Sequence, residues 1–328
     1  MKIGLYLNPQ DAGERTGPEL REGFLSIART ASEVGFDHIS AGQHYLSEFS
    51  QLQMIPYLAR LTGEVDDVEI GTGVVLLPFH HPVDLAERVA TLDALHDGET
   101  VMGVGAGYRD VEFESFGVPK SERISRLVEG LELTKRLLTE TDVSYEGDHY
   151  AVEDVSIPVR PDGIHTWMAA NANVAVERSA RMTDAWYVNP HATISEIREQ
   201  KHDIYDPVRE ERGEDDGVPV LREAFVAESR EAAVETARDH LWEKYQRYID
   251  WGQDEAMEDE QDLHKPFEEL AEDRFILGTP EDVAAEVETY DEELNASHVV
   301  FRCHWPGLDY ERTRECVELI GDEVIPYV

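Results

Sequence analysis

Val68-Glu69-Ile70-Gly71-Thr72-Gly73-Val74-Val75-Leu76-Leu77, closed by Pro78 and followed by the helical pattern Pro82–Leu95, is the stretch that decides the fold. The run is almost continuously apolar, as a strand covered on both faces of a parallel sheet must be, and the amphipathic segment after it supplies a crossover helix. The same unit recurs in both directions along the chain. Further strand patterns cover Ile3–Leu7, Phe36–Ser40, Thr100–Gly105, His165–Ala169, Asp184–Val188, Val218–Val226 and Ser297–Arg302. Helical patterns cover Pro18–Val34, Gln53–Leu61, Ser121–Leu138, Val174–Met182, Thr193–Arg212, Glu231–Ile249, Pro280–Glu293 and Tyr310–Val324. Eight strands with helices after them predict an α/β fold of the (β/α)8, or TIM-barrel, type, with an open doubly wound sheet as its rival.

Local signals agree with these positions. Thr279-Pro280-Glu281-Asp282 combines a capping hydroxyl, a proline at the first helical position and acids in the first turn. Ser121-Glu122-Arg123 opens a helix whose stripe includes Ile124, Leu127, Val128 and Leu131. Two regions break the repeat: Val143–Val159 reads as a β-hairpin around Glu146-Gly147-Asp148, and Asp250–Asp273 as an acidic helical insertion before the last strand. The expected organisation is one domain, 1–328, with insertions near 143–163 and 250–273.

The chain has 328 residues, 41% of them hydrophobic, with 70 acidic residues against 29 basic ones and a net charge of −41. Enough apolar surface is present for a full core, and no run approaches the ~18 apolar residues of a membrane span. The negative field disfavours nucleic acid and anionic membrane surfaces as partners. Met1-Lys2-Ile3-Gly4-Leu5-Tyr6 reads as an opening strand without a signal peptide's apolar region, so a soluble cytoplasmic protein is expected. The acids are dispersed from Glu19 to Glu323 and lysine is scarce beside arginine. Self-repulsion of that size is screened in molar salt, where the Debye length is ~3 Å, which predicts a salt-adapted (halophilic) protein. Cys303 and Cys316 have no disulfide or metal spacing and read as packed small residues, and the thirteen histidines include no HExxH pair, so no metal is expected.

A barrel's chemistry lies at the C-terminal ends of its strands. Those ends carry Asn8, Gln43-His44, Gly71 to Val74, Gly103 to Arg109, Ala170-Asn171-Ala172-Asn173, Asn189-Pro190-His191, Arg222, Arg302 and His304-Trp305. The set is rich in glycine, amides and arginine and poor in carboxylates, which suits an anionic ligand. Gly103, Gly105 and Gly107 form GxGxG without the third spacing of a dinucleotide fingerprint. Ala170 to Asn173 lead into a helix whose first amides either hold a phosphate or are capped by Asn171 or Asn173. Arg109 either reaches that phosphate or pairs with Asp110 or Glu112. Gly71 and Gly73 mark a bulge, or the close approach of a ligand, in an otherwise regular strand.

Together these pieces resemble the bacterial-luciferase-like flavin-dependent oxidoreductases. The resemblance rests on Gln43-His44-Tyr45, Ile70 to Pro78 followed by His81-Pro82, Gly103 to Arg109 followed by Glu112-Phe113 and Phe116-Gly117, Arg178 to Trp186, and Leu277-Gly278-Thr279-Pro280-Glu281. It implies reduced FMN or coenzyme F420 as cofactor, with Gly73-Val74 as a bulge joined by a non-prolyl cis peptide that supports the ring. Ala170, Asn171, Ala172, Asn173 and Val174 become the phosphate site, Gly105, Tyr108 and Arg109 the cofactor-side loop, and His44, or Gln43 in the alternative register, the catalytic residue. The luciferases' reactive cysteine near Gly105 is absent, and so is the acid that the deazaflavin-dependent sugar-phosphate dehydrogenases carry at the position of Tyr108. The implied activity is monooxygenation or hydride transfer on a small organic substrate, with a non-catalytic flavin-binding barrel as the alternative. A flavin reductase partner and a homodimer complete the expectation.

Overall fold

A computed structural model describes residues 1–13, 15–214, 217–252 and 262–328. Eight parallel strands form the barrel: β1 (Lys2–Tyr6), β2 (His38–Ala41), β3 (Glu69–Leu76), β4 (Thr100–Gly105), β5 (His165–Ala169), β6 (Ala185–Tyr187), β7 (Val218–Val226) and β8 (Ala296–Arg302). Their spatial order is sequential from β1 to β6, with β8 pairing β1 on its other side and β7 pairing β8. A single bridge, Val188 to Val220, joins the β6 end to β7 and closes the ring. A short strand, Ile276–Gly278, adds to the outer end of β7; three residues carry too little periodicity to be read from sequence.

The helices are α1 (Gly17–Glu33), α2 (Met54–Leu61), α3 (Pro82–Ala94), α4 (Asp110–Phe116), α5 (Arg123–Thr139), α6 (Asn173–Met182), α7 (Ile194–Gln200), α8 (Asp206–Arg212), α9 (Arg230–Asp250), α10 (Phe267–Ala271), α11 (Pro280–Leu294) and α12 (Tyr310–Glu323). Thr279 caps α11 in a reciprocal capping box with Asp282, as its sequence requires. Helix α5 starts later than Ser121 indicates, because Lys120–Glu122 forms a separate 3-10 turn. The pattern Thr193–Arg212 is divided into α7, a π-helical turn at Lys201–Tyr205 and α8. The hairpin is present as Val143–Glu146 paired with Ala151–Val155. Of the acidic stretch Asp250–Asp273, residues 253–261 lie outside the described residues, and the rest contains the turn Asp262–His264 and α10, which precede Ile276–Gly278 rather than the last strand directly.

Strand alternation sorts the core into two layers. Outward residues such as Leu5, Ile39, Ile70, Met102 and Val299 pack under the helices in one large cluster. Inward residues Tyr6, Val101, Trp167, Ala185, Tyr187, Leu221 and Val300 fill the barrel as a second cluster. The barrel is thus plugged, and its chemistry is confined to the rim.

Candidate active site

The bulge falls where the glycines of β3 indicate. Between Thr72 and Val75 the strand gains one residue over the Met102–Val104 segment of β4, and the Gly73–Val74 peptide is cis. Val74 is half-buried and rests on the inner cluster. A methyl at Gly105 would stand 2.8 Å from Val74 Cγ2, and one at Gly103 would strike the Thr72 carbonyl. Tyr6 lies against both Gly42 and Gly73. The glycines therefore let Val74 lie flat as an apolar platform at the C-terminal mouth.

Gln43 and His44 diverge at the end of β2. Gln43 turns into the framework: its Oε1 accepts from the Leu76 amide at 3.0 Å and its Nε2 donates to Tyr45 Oη at 2.9 Å. His80 Nε2 lies 3.3 Å from both Gln43 Oε1 and Tyr45 Oη, and burial pushes His80 down to about 4, keeping the imidazole neutral. His44, half-buried, is ringed by Tyr108, Tyr248 and Trp251 at centroid distances of 6.1, 6.0 and 5.5 Å. Its Nδ1 lies 3.4 Å from Glu112 Oε1 but off a hydrogen-bonding direction, so that nitrogen is buried without a bond. Tyr108 Oη is likewise buried and unpartnered, and burial raises its pKa well above the ordinary phenol value. The structure thus brings His44 and Tyr108 together and sets Gln43 behind them.

Arg109 does not extend toward the Asn171–Val174 turn. Its guanidinium donates to the Tyr45 carbonyl at 2.7 Å, lies 3.3 Å from Glu112 Oε1 and stacks 4.0 Å from the Trp251 ring. A carboxylate three residues on, at the start of α4, and two loop carbonyls hold NH1 and NH2 locally, while Nε is buried without a bond. The ion pair with Glu112, the alternative to a phosphate contact, is therefore present, and it is buried rather than on the surface. Glu112 also accepts from the Tyr45 amide at 2.8 Å, which fixes the loop after β2 to α4.

Helix α6 begins at Asn173 with Ala172 as its cap residue, so neither Asn171 nor Asn173 takes the cap position considered for them. Gln200 Nε2 instead donates to the Asn171 carbonyl at 2.6 Å and to Asn173 Oδ1 at 2.9 Å. A cavity of about 300 Å³ opens there, lined by Ala170, Asn171, Asn173, Trp186, Asn189 and Gln200 among others. Val174 is among the most exposed apolar residues, at 65%.

The mouth also departs from its expected shortage of carboxylates. Glu223 of β7 is fully buried, bonded to Lys244 Nζ of α9 and to Trp305 Nε1 at 2.6 Å, with Arg302 NH1 3.9 Å away. Desolvation and the Arg302 charge push Lys244 down to about 7, against the pull of Glu223. Glu223, and the group Lys244, Tyr248 and Trp251 at the end of α9, escaped the sequence reading because long segments separate them from each other and from His44. Glu112 carried a usable signal in its three-residue spacing from Arg109. At the opposite end of the barrel, His38, Glu69 and His298 converge, three residues that no motif connects.

Comparison with known proteins completes the description. The chain is 26% identical to the F420-dependent glucose-6-phosphate dehydrogenase of Microbacterium testaceum, covering 99% of this chain and 98% of that protein. It is 24% identical to the oxygenase component of the flavin-dependent trigonelline monooxygenase of Acinetobacter baylyi, covering 99% and 95% respectively. The crystal structure of the monooxygenase RslO1 from Streptomyces bottropensis superposes with a TM-score of 0.87 at 21% identity, covering 99% of each chain. A family model described as luciferase-like monooxygenase matches residues 1–296, most of the barrel, and by that match the chain belongs to the luciferase-like monooxygenase family.

Proposed function

We propose that this protein is an oxidoreductase acting on a small organic substrate with a reduced flavin-type cofactor, FMN or F420. The observation that carries the reading is the half-open Val74 platform, which shares one barrel mouth with the His44 cage and the α6 start, whose cap residue is an alanine. Relatives named as an F420-dependent dehydrogenase and a flavin-dependent oxygenase component support it. The residues present fit such a cofactor: an apolar surface that a single Cβ at Gly105 would crowd, and a helix start whose cap residue is an alanine, suited to phosphate. Gly73 and Val74 would carry the ring, Gly105 and Tyr108 would flank it, and Ala170, Asn171, Ala172, Asn173 and Val174 would hold the phosphate. When bound, the cofactor supplies hydride transfer or oxygen activation, the chemistry that no side chain provides.

The chain's own residues orient and exclude water. Tyr108, Tyr248 and Trp251 shield His44, whose imidazole would exchange a proton with substrate. Arg109 acts through Glu112 and Trp251 as a positioning residue. With FMN, a separate reductase would supply the reduced cofactor; a cytoplasmic homodimer belongs to the same proposal. No helix among the described residues is long and apolar enough to cross a membrane.

Fluorescence titration with FMN and with F420, for the parent and for Gly105→Ala, tests the platform. One cofactor should bind, and the added methyl, 2.8 Å from Val74, should weaken it at least tenfold, about 1.4 kcal/mol. Equal binding by both proteins, or by neither, overturns the assignment. Turnover of the bound reduced cofactor then separates an enzyme from a binding barrel.

A further inference from the structure

Inward-facing residues at the N-terminal floor of the barrel are polar. His298 of β8, His38 of β2 and Glu69 of β3 meet there, all nine-tenths or more buried, with one donor atom from each within 4.8 Å of the others. His38 Nδ1 lies 2.6 Å from Glu69 Oε1, and His298 Nε2 lies 3.3 Å from the same oxygen but off a hydrogen-bonding direction, so it is left unpartnered. The floor is shaped around these groups. A methyl at Gly71 would stand 2.6 Å from His38 Cε1 and one at Gly4 3.1 Å from His38 Cδ2, so two strands give up side chains to admit one imidazole. Trp167 packs on both rings, at 5.2 and 4.9 Å, and Ser297 Oγ lies 3.0 Å from His298 Nδ1, orienting the ring.

A second feature leads to the same place. A cavity of about 590 Å³ opens on this floor, and Glu69 is part of its lining together with Asp37, Asp93, Asp97, Glu99 and Asp162. Its field draws cations toward the one carboxylate that the histidines share. Lys2, 42% exposed, is the only amine in that lining and reaches Glu69 Oε2 at 2.8 Å, leaving Oε1 to the imidazoles.

The geometry points to a binding site for a divalent transition-metal ion of the zinc class, ligated by His38 Nδ1, Glu69 Oε1 and His298 Nε2. Two imidazoles and one carboxylate match that class rather than Mg²⁺ or Ca²⁺, which take oxygen donors. Ligand atoms of a tetrahedral zinc with bonds of about 2.0–2.2 Å stand roughly 3.3 Å apart. The Glu69–His298 pair already has that spacing, and the Glu69–His38 pair must open by several tenths of an ångström as the proton it shares leaves to solvent. The Ser297 contact supplies the partner that an ion-bound histidine needs at its other nitrogen. The ion would tie β2, β3 and β8 together across β1, at the opposite end of the barrel from the proposed active site.

The test uses the full chain, stripped with EDTA and held in molar KCl so that surface carboxylates are screened. Zn²⁺ should remain at one ion per chain after gel filtration, by elemental analysis. Co²⁺ should give the intensified visible absorption of a low-coordinate, imidazole-bound ion. His298→Gln, which removes one of the three ligands, should weaken retention at least tenfold. No retained Zn²⁺ in the parent, a Co²⁺ spectrum like that of the aqua ion, or unchanged retention in folded His298→Gln each overturns the site. The parent's Co²⁺ spectrum decides the matter alone if the variant does not fold.

Discussion

Glu223→Gln removes one buried charge and almost nothing else. The carboxylate is fully buried, and its partner Lys244 is 1% exposed, so neither side chain reaches water. Glutamine keeps an acceptor for Trp305 Nε1, 2.6 Å away, but leaves the Lys244 ammonium and the Arg302 guanidinium together without a counter-charge. A charge stranded at this depth costs up to about 3–5 kcal/mol, a cost that Lys244 limits by giving up its proton. Adding Lys244→Met, which removes the lysine's share, should therefore recover part of the loss. The pH dependence has a definite sign. Lys244 sits at about 7 in the folded parent, far below its unfolded value, and loss of Glu223 lowers it further. Below about 7 the parent holds the proton that the variant cannot hold, so the deficit is largest at pH 6. It shrinks toward pH 9, where Lys244 is neutral in both folded proteins and their unfolded states titrate alike. Urea unfolding in molar KCl, followed by tryptophan fluorescence at both pH values, measures it. A loss under ~1 kcal/mol at pH 6, or an equal loss at both, would show that the pair is solvated and refute the reasoning.

The dispersed net charge of −41 predicts that the melting temperature rises from ~0.1 M to molar KCl; a flat response contradicts the screening argument. His44→Asn should lower turnover far more than cofactor affinity, and parent-level turnover in a folded variant would make the histidine structural. Arg109→Ala removes the buried partner of Glu112 and the Trp251 stack, so it should destabilise the fold by about 3 kcal/mol. Cofactor affinity of the folded Arg109 variant should change by less than about twofold, and a tenfold loss would restore the arginine to the phosphate site.

Periodicity placed all eight strands and nine long helical patterns in the chain, because a barrel buries each strand on both faces and each helix on one. The glycines of β3 foretold the bulge, since a conformational demand is written at the residue that meets it. Short elements, α4 and Ile276–Gly278, left no periodic trace. What only the tertiary structure decided are the meetings. Arg109 turned to Glu112 and Trp251, Lys244 on α9 folded back onto Glu223 of the preceding strand, and His38, Glu69 and His298 met on the floor. A strand's alternation states that such side chains point inward, but not which others share their height. Height is fixed by strand register and barrel closure, properties of the assembled sheet that no local segment contains.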